Sequence, residues 1–509
     1  MTGPSFVRGR TPEPTTIHDQ VVAAADRDPS ALALVTEAGS TTYEELVHGG
    51  SAWASLLVRS GVTQGDVVAV RSGRALELPA ALLGVLQSGA CYTVIDPAWP
   101  AERQRHLLAR TGARVCLDGT PDGTLAGLPG LQVLPLTVEP PQEQDRGPAS
   151  AAARPVRPTD AACLFWTSGS TGVAKAVLSP HQATTRLFSP SSPLGGGPGT
   201  VMISVAAPAW DGFTLELWSM LTTGGCTVLH EPSFFLPNDL REAMRRHGVT
   251  DLFLTSGLFD VFVAEDVESF AGLSRVSVGG DRLSQAHAGR FLAAHPGVAL
   301  TNGYGPVECC GFVTTRRVDD ADLDRPEGAA VGKPVPGTDV LVVDEGEVVP
   351  RGRDGEIWIG GQAVGLGYLD DDLERTREAF IESGGCRYYR TGDRGRITDD
   401  GVLLFLGRTD RQVKIAGHRV EPAETESAAL RLGCSHAVAV PVPTESSPRG
   451  LALFAVPGSF EGRPRDLRAG LAEVLPPQLV PWPVRFVQQL PLTTNGKVDR
   501  DVLRRQLPD

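Results

Sequence analysis

Between residues 164 and 177 the chain reads LFWTSGSTGVAKAV. Thr167, Ser168, Ser170 and Thr171 supply hydroxyls, Gly169 and Gly172 supply backbone freedom, and Lys175 supplies a cation. Glycines let main-chain N–H groups approach an anion, hydroxyls add donors, and the lysine adds charge. The apolar ACLFW run before them predicts a buried strand. The loop would then sit at a strand end and act as a phosphate cradle. Its spacing is not that of the G-x-x-x-x-G-K-[ST] loop. A loop of this composition standing alone is more often a plain turn, so other residues must decide.

Three further stretches carry groups of the right kind. RTGD (390–393) places Asp393 at an expected turn, where a carboxylate can accept both hydroxyls of a ribose. A solvated turn aspartate is the plainer alternative. NGYGPVE (302–308) offers the Tyr304 ring as a flat face for a purine and the Glu308 carboxylate as a hard oxygen for Mg²⁺ beside phosphates. A buried structural tyrosine and a surface glutamate are the alternatives there. LTTNGK (492–497) puts Lys497 on a glycine-containing loop, where an ordinary surface lysine is the usual finding.

These groups need elements to hold them. At 509 residues the chain is too long for one core, which predicts two or more domains. Hydrophobic residues make up 41% and aromatic ones 6%, as in soluble globular enzymes. The formal net charge of -13 argues against non-specific nucleic-acid binding, which needs a basic surface. No apolar run approaches the roughly 18 residues that span a bilayer, and MTGPSFVRGRTPEPTT has no apolar core, so no membrane partner or secretory signal is expected. The eight cysteines form no C-x-x-C pair, which predicts reduced, buried thiols in a cytoplasmic protein.

Along the chain, TIHDQVVAAADRDP has helical spacing, GDVVAVRS reads as a buried strand, and LELPAALLGVLQSGACYTVID reads as a helix running into a strand. Such alternation predicts βαβ units and a largely parallel sheet. Residues 136–160 read as a surface linker. A second sheet-and-helix region extends to about residue 330, with RVSVGGDRLS as strand, turn and helix start. Residues 331–408 read as short strands and turns. The expected fold is α/β: a large N-terminal domain (1–409) of two αβ sheet subdomains plus a β-rich subdomain, then a small, mobile α+β C-terminal domain (410–509).

WTSGSTGVAK resembles the phosphate loop of the adenylate-forming enzymes, which include amino-acid adenylation domains of nonribosomal peptide synthetases, acyl-CoA synthetases and luciferases. TTYEEL (41–46), WDGFTLELW (210–218), NGYGPVE, GEIWIGGQAVGLGYL (355–369), YYRTGDRGR (388–396), GRTDRQVKIAGHRVEPAE (407–424) and LPLTTNGKVDR (490–500) resemble the family's other motifs in the family's order. The resemblance covers nearly the whole chain. It implies that Thr167, Ser168, Gly169, Ser170, Thr171, Gly172 and Lys175 wrap ATP phosphates, that Gly303, Tyr304 and Gly305 border the adenine, and that Asp393 and Arg408 hold the ribose. Glu308 and Thr171 would hold Mg²⁺. Lys497 would swing in to bond the substrate carboxylate and the bridging oxygen, while that carboxylate attacks the α-phosphorus. Asp410 would be the hinge, and Gly417 would leave room for a phosphopantetheine arm.

By the same resemblance Asp211 pairs with an α-ammonium group, which implies an amino acid rather than an aryl or fatty acid. The side-chain pocket would be lined by Gly212, Leu215, Phe253, Ser277, Gly279, Gly303, Gly311 and Phe312. The glycines suggest free volume and the remaining walls are mainly apolar. A buried unpaired charge would be costly there, so a neutral, mainly apolar amino acid is expected, valine- or isoleucine-like first and aromatic second. Three departures stand out: Val307 for Thr, Leu366 for Arg, and Ala174 and Ala176 for Pro and Gly around Lys175. No condensation or carrier motif is found, which suggests a free-standing adenylation enzyme, or an excised domain, loading a separate carrier protein. A small activator protein is a further candidate partner. Two other readings keep the fold: a coenzyme A or amine acceptor, or a non-catalytic amino-acid sensor.

Overall fold

In a computed structural model the protein is described over residues 4–137, 155–167, 174–189, 192–232, 234–369, 373–409, 412–415, 417–443, 448–491 and 498–507. The chain divides into two compact units. One comprises Met1–Asp96, Leu108–Phe165 and Ala176–Thr409, and the other Pro97–Leu107, Trp166–Lys175 and Asp410–Asp509.

Two αβ sheets build most of the larger unit. The first is parallel at its centre, where Val67–Arg71 pairs with Cys91–Ile95 and with Val115–Asp118, and Ala161–Thr167 lies beyond Cys91–Ile95. Strands covered on both faces should read as apolar runs. CYTVI and VCLD do, and every residue in both is buried. The helix Leu78–Gln87 and the strand Cys91–Ile95 form where the composition suggested.

The second sheet has nine strands, with Val201–Ser204, Asp251–Thr255, Arg275–Gly279 and Ala299–Tyr304 in parallel succession. Phe259, Phe262, Phe270 and Phe291 pack under it as a fully buried aromatic cluster. The TTYEEL motif has a plain physical sense. Thr42 Oγ1 caps the helix Tyr43–Arg59 by accepting from Glu45 N while the Glu45 carboxylate accepts from Thr42 N, and the Tyr43 hydroxyl donates to Met220 O and Gly225 O at 3.1 and 2.8 Å. The third sheet is antiparallel and runs through Thr338–Asp344, Asp354–Gly361, Cys386–Ile397 and Leu403–Arg408.

The smaller unit is α+β. His436–Pro443, Pro448–Val456 and Val484–Phe486 form a sheet, against which Pro422–Arg431 and Pro464–Val474 bury Ala428, Ala429, Leu467 and Leu471. No helix among the described residues is long and apolar enough to cross a membrane. Of the eight free cysteines six are buried, whereas Cys386 is exposed, because it closes a hairpin at the sheet's edge. Most of the expected linker at 136–160 lies outside the described residues.

Candidate functional site

Asp211 opens the helix Asp211–Leu221 and is buried at 6% exposure. Its Oδ2 accepts the Gly311 N–H at 3.1 Å, across 100 residues of sequence. The approach to it is fixed from two sides. Glu216, one turn and a half further along the helix, accepts from Ser204 Oγ at 2.7 Å and from the N–H groups of Val205 and Ala206. The Arg74 guanidinium donates to the carbonyls of Val205 at 2.9 Å, Ala206 at 3.2 Å and Pro232 at 2.7 Å. Neither Glu216 nor Arg74 was singled out by sequence. Apart from the Ser204 hydroxyl, their partners are main-chain groups, which composition does not reveal.

Burial pushes the Glu216 carboxyl up to about 7, against the pull of its three donors and of Arg74. The folded state therefore holds this proton more tightly than the unfolded chain. The stability it contributes is complete below the ordinary carboxylate range and is lost as pH rises through about 7. Glu216→Gln imitates the protonated acid, since one amide oxygen can take the donors on Oε2. Thermal melts from pH 5 to 8 should show wild-type stability falling relative to the variant, and parallel curves would refute the assignment.

Walls rise around Asp211 from the second sheet. Phe253 pairs with Ser277 and Gly279 with Gly303 in parallel register, so these four residues share one face. Phe312 lies over that face. A Cβ built on Gly279 or on Gly303 would overlap its ring. The space suggested by these two glycines is thus occupied by the Phe312 ring and is not left open. Phe253 stands edge-on to Phe312 at 5.8 Å, and Trp210, which sequence reasoning missed, lies 6.2 Å from Phe253. A Cβ on Gly212 would touch the Trp210 ring at 2.9 Å. Leu215, one helical turn beyond Asp211, is buried, and it lies 3.6 Å from a Cβ placed on Gly311.

Glu308 sits in the short 3-10 turn Val307–Cys309 and is fully buried. Its Oε1 accepts from Tyr368 Oη at 3.0 Å, and its carbonyl accepts from Gly365 N at 2.8 Å. A Cβ on Gly365 would come within 2.8 Å of that carbonyl, so the GQAVGLGYL stretch needs glycine there to hold Glu308. Gly305 is needed likewise, because a Cβ there would overlap Gly311 O. Val307 is half-buried and Leu366 exposed, while Ala174 and Ala176 are buried.

Asp393 corrects an expectation. It lies not at a turn but within the twelve-residue strand Cys386–Ile397, in register with Arg408. Gly392, at φ +69, lies where the register shifts opposite Ile357, so the local bend that T-G-D suggested is taken up as an irregularity within the strand. The Arg408 guanidinium bonds Asp393 Oδ1, and Tyr304 Oη donates to Oδ2 at 2.5 Å. Each oxygen keeps a further lone pair for another donor. Burial, and then the neighbouring Asp393 charge, raise the Tyr304 phenol far above its usual range, so it stays protonated and donating. The Tyr304 ring packs at 5.9 Å from Phe405, over which the Arg282 guanidinium lies at 5.3 Å.

Thr167 ends the strand Ala161–Thr167, and its Oγ1 is buried with no hydrogen-bond partner among the described residues. Lys175, half-buried, begins the strand Lys175–Pro180. Ser168, Gly169, Ser170, Thr171 and Gly172 lie outside the described residues, as do Asp410 and Lys497. Gly417 has φ +83 at a turn between Ile415 and His418, which pair. That turn alone requires glycine. Among the described residues no three His, Cys, Asp or Glu side chains converge on a metal. One buried carboxylate still fits Mg²⁺, which takes most of its ligands from phosphate and water.

A family model described as AMP-binding enzyme matches residues 21–369. Malpibaldin synthetase of Mortierella alpina is 33% identical over 94% of this chain and 9% of its own length. Tyrocidine synthase 3 of Brevibacillus parabrevis is 31% identical over 97% of this chain and 8% of its own. The chain thus spans less than a tenth of these relatives. Among solved structures, a nonribosomal peptide synthetase protein containing adenylation and PCP domains, in its holo form, matches with TM-score 0.85 and 31% identity over 97% of this chain and 84% of that one. An amide bond synthetase from Marinactinospora thermotolerans matches with TM-score 0.82 and 25% identity over 97% of this chain and 100% of that one.

Proposed function

We propose, since the chain belongs to the AMP-binding enzymes as an adenylation domain of the nonribosomal peptide synthetase type, that it joins the carboxylate of an α-amino acid to the AMP moiety of ATP and releases pyrophosphate. The acyl group then passes to the phosphopantetheine thiol of a carrier protein, with the domain 410–509 turning about Asp410 between the steps. The observation that carries this reading is Asp211, a buried carboxylate held by Gly311 N–H beside the apolar walls of Leu215, Phe253 and Phe312. The family resemblance gives this carboxylate the role of meeting the substrate's α-ammonium group, and the apolar walls beside it suit an apolar side chain.

One carboxylate oxygen of the substrate attacks the α-phosphorus, the bond to the β-phosphate oxygen breaks, and that oxygen leaves with pyrophosphate. Asp393 and Arg408 orient the ribose, with Tyr304 Oη fixing the Asp393 rotamer. The buried Thr167 hydroxyl and Lys175 flank the stretch proposed to wrap the phosphates. Lys497 donates to the oxygens on which charge grows, where a preorganised donor acts most strongly. Glu308 and Thr171 would hold Mg²⁺, which supplies charge neutralisation at the phosphates.

Phe312 makes the pocket shallow, which agrees with a branched aliphatic side chain before an aromatic one. Phe312→Ala should shift relative kcat/KM toward larger apolar amino acids by about tenfold or more, given roughly 1–3 kcal/mol per methylene in such pockets. An unchanged profile would remove Phe312 from the pocket.

A second reading changes only the acceptor to a free amine, and the likeness to an amide bond synthetase favours keeping it. ATP–pyrophosphate exchange across a panel of amino acids and aryl acids tests the shared first step. Intact mass of a phosphopantetheinyl carrier, against amide formation with added amines, then separates the acceptors.

A further inference from the structure

We infer that Arg186 is a positioning residue for the amino-acid pocket: its guanidinium grips the Cys309–Phe312 turn and so sets the Gly311 N–H that meets Asp211. The inference rests on the amino-acid reading above. Arg186 begins the 3-10 segment Arg186–Phe188 and is 1% exposed. Its Nη2 donates to Cys309 O at 2.8 Å, Cys310 O at 3.4 Å and Phe312 O at 3.2 Å, and its Nη1 to Phe312 O at 3.1 Å. All these acceptors are main-chain carbonyls of one turn.

That turn needs holding. Cys310 has φ +50 and Gly311 φ +69, so a side-chain-bearing residue occupies the left-handed region just before the glycine. A non-glycine residue there is strained and persists where its surroundings over-determine it. Two neighbours of Arg186 add to the clamp. Thr184 Oγ1 lies 3.3 Å from Cys310 Sγ, and Leu187 reaches within 3.5 Å of a Cβ placed on Gly311. A buried cation is an expensive fastener, and an apolar side chain would fill the space at less cost to folding. What the guanidinium alone provides is a planar fork that can hold several carbonyls in one arrangement. Burial draws it down to about 10, which leaves it charged at neutral pH.

The Glu308 side of the same loop is anchored separately, by Tyr368 and Gly365. Loosening the Arg186 clamp should therefore disturb amino-acid binding more than nucleotide binding. The test is exchange kinetics on wild type, Arg186→Lys and Arg186→Ala, each with its melting temperature. Lysine keeps the charge and the stem but has no fork. Arg186→Lys should raise the amino-acid KM about tenfold or more while the ATP KM stays within about threefold, since hydrogen bonds from a charged donor are lost on one side of the loop only. Guanidinium ion at low millimolar concentration should lower the raised amino-acid KM of Arg186→Ala, and methylammonium should not. An unchanged amino-acid KM in Arg186→Lys, a parallel rise in both KM values, or no recovery with guanidinium overturns the assignment. Exchange by the wild type with no amino acid at all overturns the activity reading itself, which separates the two failures.

Discussion

Asp211→Asn raises the KM for the amino acid by about 10²-fold to several thousandfold in pyrophosphate exchange, the equivalent of the roughly 3–5 kcal/mol lost when one partner of a buried ion pair is removed. The ATP KM stays near its wild-type value. The substitution is chosen because the amide oxygen it introduces can still accept the Gly311 N–H that Asp211 Oδ2 accepts at 3.1 Å. The turn then remains in place and only the charge is lost. Two features make that charge decisive. The carboxylate is buried beside apolar walls, where the effective dielectric is low and an ion pair acts more strongly than at the surface. It also stands at the first turn of the helix Asp211–Leu221, where the helix dipole favours an anion. A variant with an unchanged amino-acid KM would show that the substrate's ammonium group binds elsewhere.

The second large effect concerns rate. Lys497→Ala is expected to lower the rate constant for aminoacyl-AMP formation by about 10²- to 10³-fold, as when one preorganised donor to a developing oxyanion is removed. Substrate KM values should move little, because the contact matters most while charge grows on the α-phosphate oxygens. The lysine itself lies outside the described residues. Just beyond it, Asp499 Oδ1 accepts from Val502 N and caps the helix Arg500–Arg504. Single-turnover quench-flow with ATP and amino acid measures the first step. Thioester formation from preformed aminoacyl-AMP measures the second, which should survive the substitution. Equal losses in both steps would assign Lys497 a general structural role.

How far these groups could be read from sequence depends on the range of the interactions that place them. The strand before the glycine- and hydroxyl-rich stretch was legible, since ACLFW is apolar and a strand covered on both faces must be. So was the helix-to-strand passage through residues 78–95, with its helical period followed by the β-rich CYTVI. Asp393 was picked out in the sequence as a carboxylate suited to a ribose, but its setting was misread. The T-G-D triplet favours a turn locally, and pairing with Leu403–Arg408 overrides that preference. The pocket glycines misled for a related reason. Gly279 and Gly303 look like free space along the chain, but they become register neighbours in the sheet, and one ring from Phe312 covers both. Arg186 gave no local signal at all, because its acceptors lie 123 to 126 residues away. Residues proposed to touch the reacting atoms are confined in type by chemistry, which is why a sequence can nominate them. Residues that hold those in place are confined by geometry that only the folded chain displays.

The most direct test of the chemistry is to follow oxygen. An amino acid accepted in exchange, labelled with ¹⁸O at both carboxylate oxygens, is turned over with ATP in the presence of an acceptor, and the nucleotide product is weighed by mass spectrometry. Attack by the substrate carboxylate on the α-phosphorus predicts AMP carrying one ¹⁸O, with unlabelled pyrophosphate. Unlabelled AMP, or ADP in place of AMP, would contradict the account.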